Sequence, residues 1–366
     1  MKQTFNRARD GQHWSAESES GQTNSSFHQN VAQFWNVVRQ FEKPEWQSSN
    51  RVVLHERAFR LRQFTEGRSG TPIVILGPQA GHHTSIVDFG LPHQSLVALC
   101  ANHTDRPIYA VEWKAATVDR RNETLDDLVL QTDRIVQSVG GRAHLVGLCQ
   151  AGWLSTIYAS LFPSKVVSLV LGGAPIDFTA GGGKIQLMVQ TLPFSYYSML
   201  VAMGSGVMRG RYILWGFKSF NPYERFVGDY LKLFNGINNP VVVERSRRFR
   251  RWYEYTQGIA GAWYKQAVYE LFKRNKLVQG RLKVLRRNVD LKSIACPVAL
   301  IAGQQDDITL EPQLFNMQKY VSGPVSTASV PQCGHIGLFI KRNALEEYWR
   351  PALDFVLNHT RVMGVA

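Results

Sequence analysis

His144-Leu145-Val146-Gly147-Leu148-Cys149-Gln150-Ala151-Gly152 is an apolar run that ends in a small-residue turn, carries one nucleophilic side chain and opens a helical pattern. That is the sequence form of a nucleophile elbow, the sharp strand-to-helix turn that lifts a catalytic side chain above a sheet. Residues two before and two after the nucleophile must be small for the turn to close, and Gly147 and Ala151 meet that need. The nucleophile here is a thiol. A thiolate attacks acyl groups and makes a thioester, so Cys149 points to acyl transfer between thiols and hydroxyls.

Outward from the elbow the chain alternates strand and helix. Residues 72–76 read as a buried strand ending in Gly77-Pro78-Gln79-Ala80-Gly81. Residues 93–102 read as a helix, 107–113 as a strand, 124–139 as a helix and 143–147 as a strand. After the elbow, 153–161 continues as a helix and 166–171 is a strand. Residues 51–55 and 58–64 suit edge strands. This alternation predicts an α/β class, with a mostly parallel central sheet covered by helices on both faces. From about 178 to 290 it is broken by aromatic-rich helical segments, the size and place of an inserted helical cap. It resumes with a strand at 297–303 and ends in a long amphipathic helix at 343–359. The expected organisation is a polar tail and surface helix over 1–50, a first core part over 51–177, the cap over 178–290 and a second core part over 291–366.

With 366 residues and 44% hydrophobic composition, the chain can bury one large core. Cys100, Cys149, Cys296 and Cys333 lie far apart without a C-x-x-C pair, which argues against a disulfide framework or structural zinc. With no evident secretory signal, the reading expects a reducing cytoplasm. The most apolar stretch, 185–207, is broken by Gln190, Pro193 and Gly204, so it reads as an amphipathic lid and not as an integral membrane span. The net charge of +14 draws anionic partners. Its densest cluster, Arg245-Ser246-Arg247-Arg248-Phe249-Arg250-Arg251-Trp252, reads either as a solvated helix face with packed aromatics or as a docking surface for an acidic group.

A cysteine nucleophile needs a base, and the base needs an acid to orient it. Asp306 follows the strand that ends at Gly303, where a carboxylate would emerge at the carboxyl edge of the sheet; Asp307 is the neighbouring alternative. His335 lies between glycines in Cys333-Gly334-His335-Ile336-Gly337, ahead of the last helix. Nucleophile, acid, histidine is the chain order of the α/β-hydrolase arrangement. The oxyanion hole would use the backbone N–H of Gln150 and a second from the 78–80 loop, where Pro78 cannot donate and Gln79 can. His82 and His83 invite a metal reading but have no third ligand at a sensible spacing, so no metal is expected. His82, His83 and Trp153 are the expected substrate contacts.

At these residues the chain resembles the polyhydroxyalkanoate synthases, especially the shorter class that works with a second subunit, and more distantly the intracellular polyhydroxybutyrate depolymerases. The likeness covers most of residues 70–358. Residues 147–152 resemble the family's cysteine-containing box, Asp306 and His335 fall on its acid and base, and 263–264, 275–280 and 289–291 resemble its segment joining cap to core. Two positions depart. Ala151 stands where the synthases usually have glycine, and the loop 77–83 is closer to the depolymerases. The resemblance implies an α/β-hydrolase fold and a Cys149 thioester built from 3-hydroxyacyl-coenzyme A, with ester or thioester hydrolysis by the same triad as the alternative. Coenzyme A would come as part of the substrate, with no separate cofactor. Implied partners are the polyester chain, a granule surface, and a second synthase subunit or a homodimer. A nucleic-acid-binding role on a retired hydrolase fold is the competing class, and a complete triad argues against it.

Overall fold

The structure is a computed structural model that describes residues 27–39, 42–90 and 92–362. The tail expected ahead of residue 27 lies outside the described residues. Helix α1 (Phe27–Val38) precedes an eight-stranded sheet of β1 (Arg51–His55), β2 (Phe59–Gln63), β3 (Ile73–Leu76), β4 (Ile108–Trp113), β5 (Ala143–Leu148), β6 (Val166–Gly172), β7 (Val298–Gly303) and β8 (Val325–Val330). Their spatial order is β1-β2-β4-β3-β5-β6-β7-β8. β1 and β2, and β2 and β4, pair antiparallel. Every other pairing in the sheet is parallel.

Strands β3, β5, β6 and β7 are buried along their whole length, as a sheet covered on both faces requires. Successive side chains go to opposite faces. Val74, Leu76, Leu145, Leu169 and Leu300 join one core with α3 (Leu125–Ser138) and α4 (Gln150–Leu161). Ile73, Ile75, Val146, Val170 and Ile301 join the other, with α2 (Leu96–His103) and the C-terminal helix.

Three local differences from the sequence reading have physical causes. α2 starts at Leu96, because the Ser95 hydroxyl caps the Ala98 N–H at 2.9 Å and residues 94–95 pair with 88–90. The closing helix contains a π turn, Leu345–Trp349, before Arg350–Val362. β8, Val-Ser-Thr-Ala-Ser-Val, was not expected at all. It is an edge strand, and its small polar residues leave no apolar alternation to read.

Between β6 and β7 lie α5 (Lys184–Thr191), α6 (Phe194–Met203), α7 (Gly210–Ser219), α8 (Asp229–Asn235), α9 (Pro240–Glu254) and α10 (Gly261–Gln266). Pro193 and Gly204 bound α6, so the apolar stretch 185–207 becomes two short helices. Among the described residues no helix is long and apolar enough to cross a membrane.

Glu112 in β4 is a buried carboxylate that ties the segment before β1 to the sheet. It meets Lys43 at 2.7 Å, Arg60 at 3.1 Å, Arg62 at 2.5 Å and His83 at 3.4 Å. Burial opposes its charge, but hydrogen bonds from His83, Lys43 and Arg62 outweigh that and hold its pKa well below the usual carboxylate range. A depressed carboxylate contributes stability that is full above its unfolded pKa of about 4.3 and is lost as pH falls through the folded value. Glu112→Ala leaves the buried His83 and the partly exposed Arg62, Arg60 and Lys43 without their shared carboxylate and is expected to cost about 2–3 kcal/mol in urea unfolding at pH 7. A loss below about 1 kcal/mol would mean that solvent replaces the carboxylate.

Candidate active site

β5 runs directly into Cys149, whose backbone takes φ 50° and ψ −119°, and α4 begins at the next residue. A non-glycine residue in that region costs on the order of 1–3 kcal/mol, so the surroundings must hold it there. Close packing does so. A Cβ on Gly147 would lie 2.8 Å from both Gly152 Cα and Ser155 Oγ, and one on Gly152 would lie 2.2 Å from the Ala174 Cβ. The tightest contact is therefore at Gly152, which the sequence reading passed over in favour of Ala151. Ala151 itself is fully buried and accommodated. Gly152→Ala is expected to destabilise the chain by about 1–3 kcal/mol in urea unfolding, since α4 must shift from β6's end. An unchanged midpoint would mean that the elbow has slack.

Asp306 leaves β7 with its carboxylate buried. Its Oδ2 lies 2.7 Å from His335 Nδ1, and its Oδ1 accepts the N–H groups of Ile308 and Thr309, each at 2.9 Å. Asp307 turns the other way, to Lys184 at 3.3 Å and Asn221 at 2.7 Å. The geometry thus separates the two neighbouring aspartates. Beneath the ring, Gly173 has φ +54°, and a Cβ there would meet His335 Cε1 at 3.1 Å. Burial works against a protonated His335. The Asp306 charge, then Cys149 and hydrogen bonds to both, outweigh it and raise its pKa well above the ordinary value. His335 thus bonds Asp306 through Nδ1 and lies within electrostatic reach of Cys149, a set of groups whose chemistry suits moving a proton off sulfur.

The expected oxyanion donors are placed unequally. The Gln150 N–H opens α4, where first-turn amides have no helical acceptor. The Gln79 N–H instead donates to the Gln150 side-chain Oε1 at 2.9 Å. The expected substrate contacts also separate. Trp153 is buried, lies edge-on to Trp263 at 6.4 Å and lines a cavity beside Cys149. His82 lines a second cavity beside Cys149, stacked on Trp252 at 4.9 Å and Tyr253 at 5.3 Å, and burial pushes its pKa down to about 4. His83 is fully buried against Ser85 and Glu112, where it orders the loop. The expectation that it contacts substrate is therefore corrected: adjacent residues of this loop turn to opposite sides.

The first cavity, about 580 Å³, is walled mostly by apolar side chains of α4 to α7 and α10. The second, about 370 Å³, is bounded by His82, His335, Trp252 and Gln305 among others. Cys149 belongs to both. The loop over the site is laced to the end of α9 and the segment after it: Gln257 N–H donates to Gly81 O at 2.8 Å, His82 bridges Thr256, and Trp252 Nε1 donates to His83 O at 2.7 Å. The aromatic part of the basic cluster thus braces the site, a role without a signature in sequence spacing. Four of its five arginines have partners: Arg247 and Arg248 meet Glu244, Arg251 meets Glu42 and Glu45, and Arg250 lies over Tyr230 at 4.3 Å. Those contacts favour a packed, solvated helix face over a docking surface.

A family model described as "Protein of unknown function (DUF3141)" matches residues 38–324. The chain belongs to this family. Curated proteins similar to this DUF3141 chain include a poly(3-hydroxyalkanoate) polymerase subunit PhaC from Haloferax mediterranei, 27% identical over 84% of the chain and 63% of that protein. A protein of the same description from Allochromatium vinosum is 27% identical over 70% of the chain and 72% of its own length. The DUF3141 chain thus spans less than two thirds of the first and rather more of the second. Among solved structures, a hydrolase from Pseudomonas aeruginosa PA01 superposes with a TM-score of 0.50 at 17% identity, covering 85% of this chain and 99% of that one. The Paleococcus ferrophilus monoacylglycerol lipase does so with a TM-score of 0.50 at 16% identity, covering 80% and 98%. At such identities the likeness concerns architecture, and the architecture is the α/β-hydrolase fold.

Proposed function

We propose that this DUF3141 chain is an acyltransferase of the polyhydroxyalkanoate synthase type, which takes a 3-hydroxyacyl group from coenzyme A onto Cys149 and passes it to the hydroxyl of a polyester chain. The observation that carries the reading is a cysteine at the elbow, backed by His335 and Asp306, where two cavities meet. Similarity to polymerase subunits supports the substrate class. His335 holds the proton of Cys149, and the thiolate adds to the thioester carbonyl. The Gln150 N–H faces the developing oxyanion. Collapse expels the coenzyme A thiolate, which takes the proton from His335. His335 then accepts the proton of the incoming hydroxyl as its oxygen displaces Cys149, so an oxygen ester replaces a thioester. Coenzyme A arrives as part of the substrate, and the reading calls for no separate cofactor. A granule surface, a second subunit or a homodimer would belong to the same reading.

Hydrolysis is the second reading, favoured by the depolymerase-like loop 77–83 and by Ala151 in the box. There the same triad forms an acyl-enzyme and water takes the place of the hydroxyl. The two are separated by giving purified protein 3-hydroxybutyryl-coenzyme A and following both free coenzyme A and the acyl group. Insoluble polyester supports transfer. Free 3-hydroxybutyrate supports hydrolysis. No release, with or without an added second subunit, rejects the thioester substrate and turns the test to amorphous polyester.

A further inference from the structure

We infer that the side-chain amide of Gln79 reads the oxygen at carbon 3 of the acyl group, which makes it the residue that separates 3-hydroxyacyl from plain acyl substrates. Gln79 is 4% exposed and Gln150 7% exposed, and both line the apolar cavity beside Cys149. Gln79 Nε2, Gln79 Oε1 and Gln150 Nε2 are all buried without a hydrogen-bond partner. Buried amide groups are almost always paired, so a donor and an acceptor left open together indicate a partner that arrives with the ligand. The remaining wall is largely aliphatic and aromatic, including Trp153, Phe178 and Leu200, with Gln186 Oε1, Trp263 Nε1 and Thr309 Oγ1 also buried without a partner on lining residues; Gln79 is set apart from these by offering an open donor and an open acceptor on one group. An unsubstituted acyl chain would fill the apolar wall and leave the three open amide atoms unpaired. A hydroxyl both donates and accepts, which matches the open carbonyl oxygen and nitrogen of one amide.

Position fixes which oxygen is read. The Gln79 N–H is bonded to the Gln150 side chain at 2.9 Å, and Gln150 directly follows the nucleophile. The Gln79 backbone is thereby tied to the residue after the nucleophile and its side chain lines the same cavity as Cys149, so the amide is assigned to the start of the acyl chain and not its far end. A site built to hydrogen-bond a hydroxyl discriminates against the analogue lacking it far more strongly than an apolar pocket discriminates by size.

This inference rests on the acyl-transfer reading for its substrate, and the test separates the two. kcat/KM is measured for 3-hydroxybutyryl- and butyryl-coenzyme A, and for the matching p-nitrophenyl esters, with wild type and Gln79→Met, whose folding is checked by thermal melting. Wild type is expected to prefer the hydroxylated member of each pair by about 10²-fold or more, and Gln79→Met to reduce that ratio to within about tenfold. A wild-type ratio near one overturns the inference whether or not the variant folds. So does a folded variant that keeps the full ratio. If the esters react with a Gln79-dependent preference while the thioesters do not, the inference stands and the coenzyme A reading falls. If none of the four substrates reacts, both fall.

Discussion

Replacing Cys149 with alanine is expected to lower coenzyme A release from 3-hydroxybutyryl-coenzyme A by at least about 10⁵-fold, with folding intact. Cys149 is held at φ 50° by packing at Gly147 and Gly152, and neither contact involves its thiol, so alanine keeps the elbow while removing the attacking atom. When a nucleophile and its base act as one unit, losing either costs nearly as much as losing both. Residual turnover would come only from binding and the oxyanion donors. Steady-state release of coenzyme A, read beside the unfolding midpoint, checks this. A loss below tenfold in a folded variant would remove Cys149 from the mechanism and the acyltransferase reading with it.

Asp306→Asn is the second large effect, expected to be about 10⁴-fold in kcat. The Asp306 Oδ1 is pinned by two backbone N–H groups, from Ile308 and Thr309, which can only be met by an oxygen. The asparagine must therefore keep its oxygen there and turn its NH₂ toward His335 Nδ1, now 2.7 Å from a carboxylate oxygen. Two donors cannot share that contact, so Nδ1 becomes the acceptor and the ring proton moves to Nε2, facing Cys149. The base is then protonated on its working side. The same substitution deletes the charge that does most to hold His335 protonated against burial. A raised pKa that loses its anion must fall, so the imidazole titration followed by NMR should move to lower pH. Loss of rate without that movement would assign Asp306 a packing role instead. Asp307→Asn is the natural comparison, since its contacts are Lys184 and Asn221.

Much of this site was legible in the sequence, because tight strand-to-helix turns restrict residue type and because inner strands buried on both faces read as mostly apolar runs without alternation. Residues 143–148, 166–172 and 298–303 are of that kind. Cys149, Asp306 and His335 each follow a strand end, so their chain order carried geometric information. β8 was invisible because an edge strand of small polar residues has no apolar period. The choice between Asp306 and Asp307 depended on backbone N–H groups that spacing does not reveal. The opposite fates of His82 and His83 depended on a side-chain direction set by Glu112 and by the aromatic end of α9.

The lacing between the 79–83 loop and residues 255–257 has a mechanical meaning. Roof and floor of the reaction chamber share one mesh of main-chain bonds, so the roof cannot swing as a door without unpicking the loop that carries Gln79. Helix α5 and the end of α7 are fastened differently, by Lys184 and Asn221 gripping Asp307. Side-chain grips can let go and re-form while the backbone stays in place. That outer corner is therefore where the chamber wall can loosen while the sheet and the 79–83 loop hold still, and Asp307 is the side chain that ties it down.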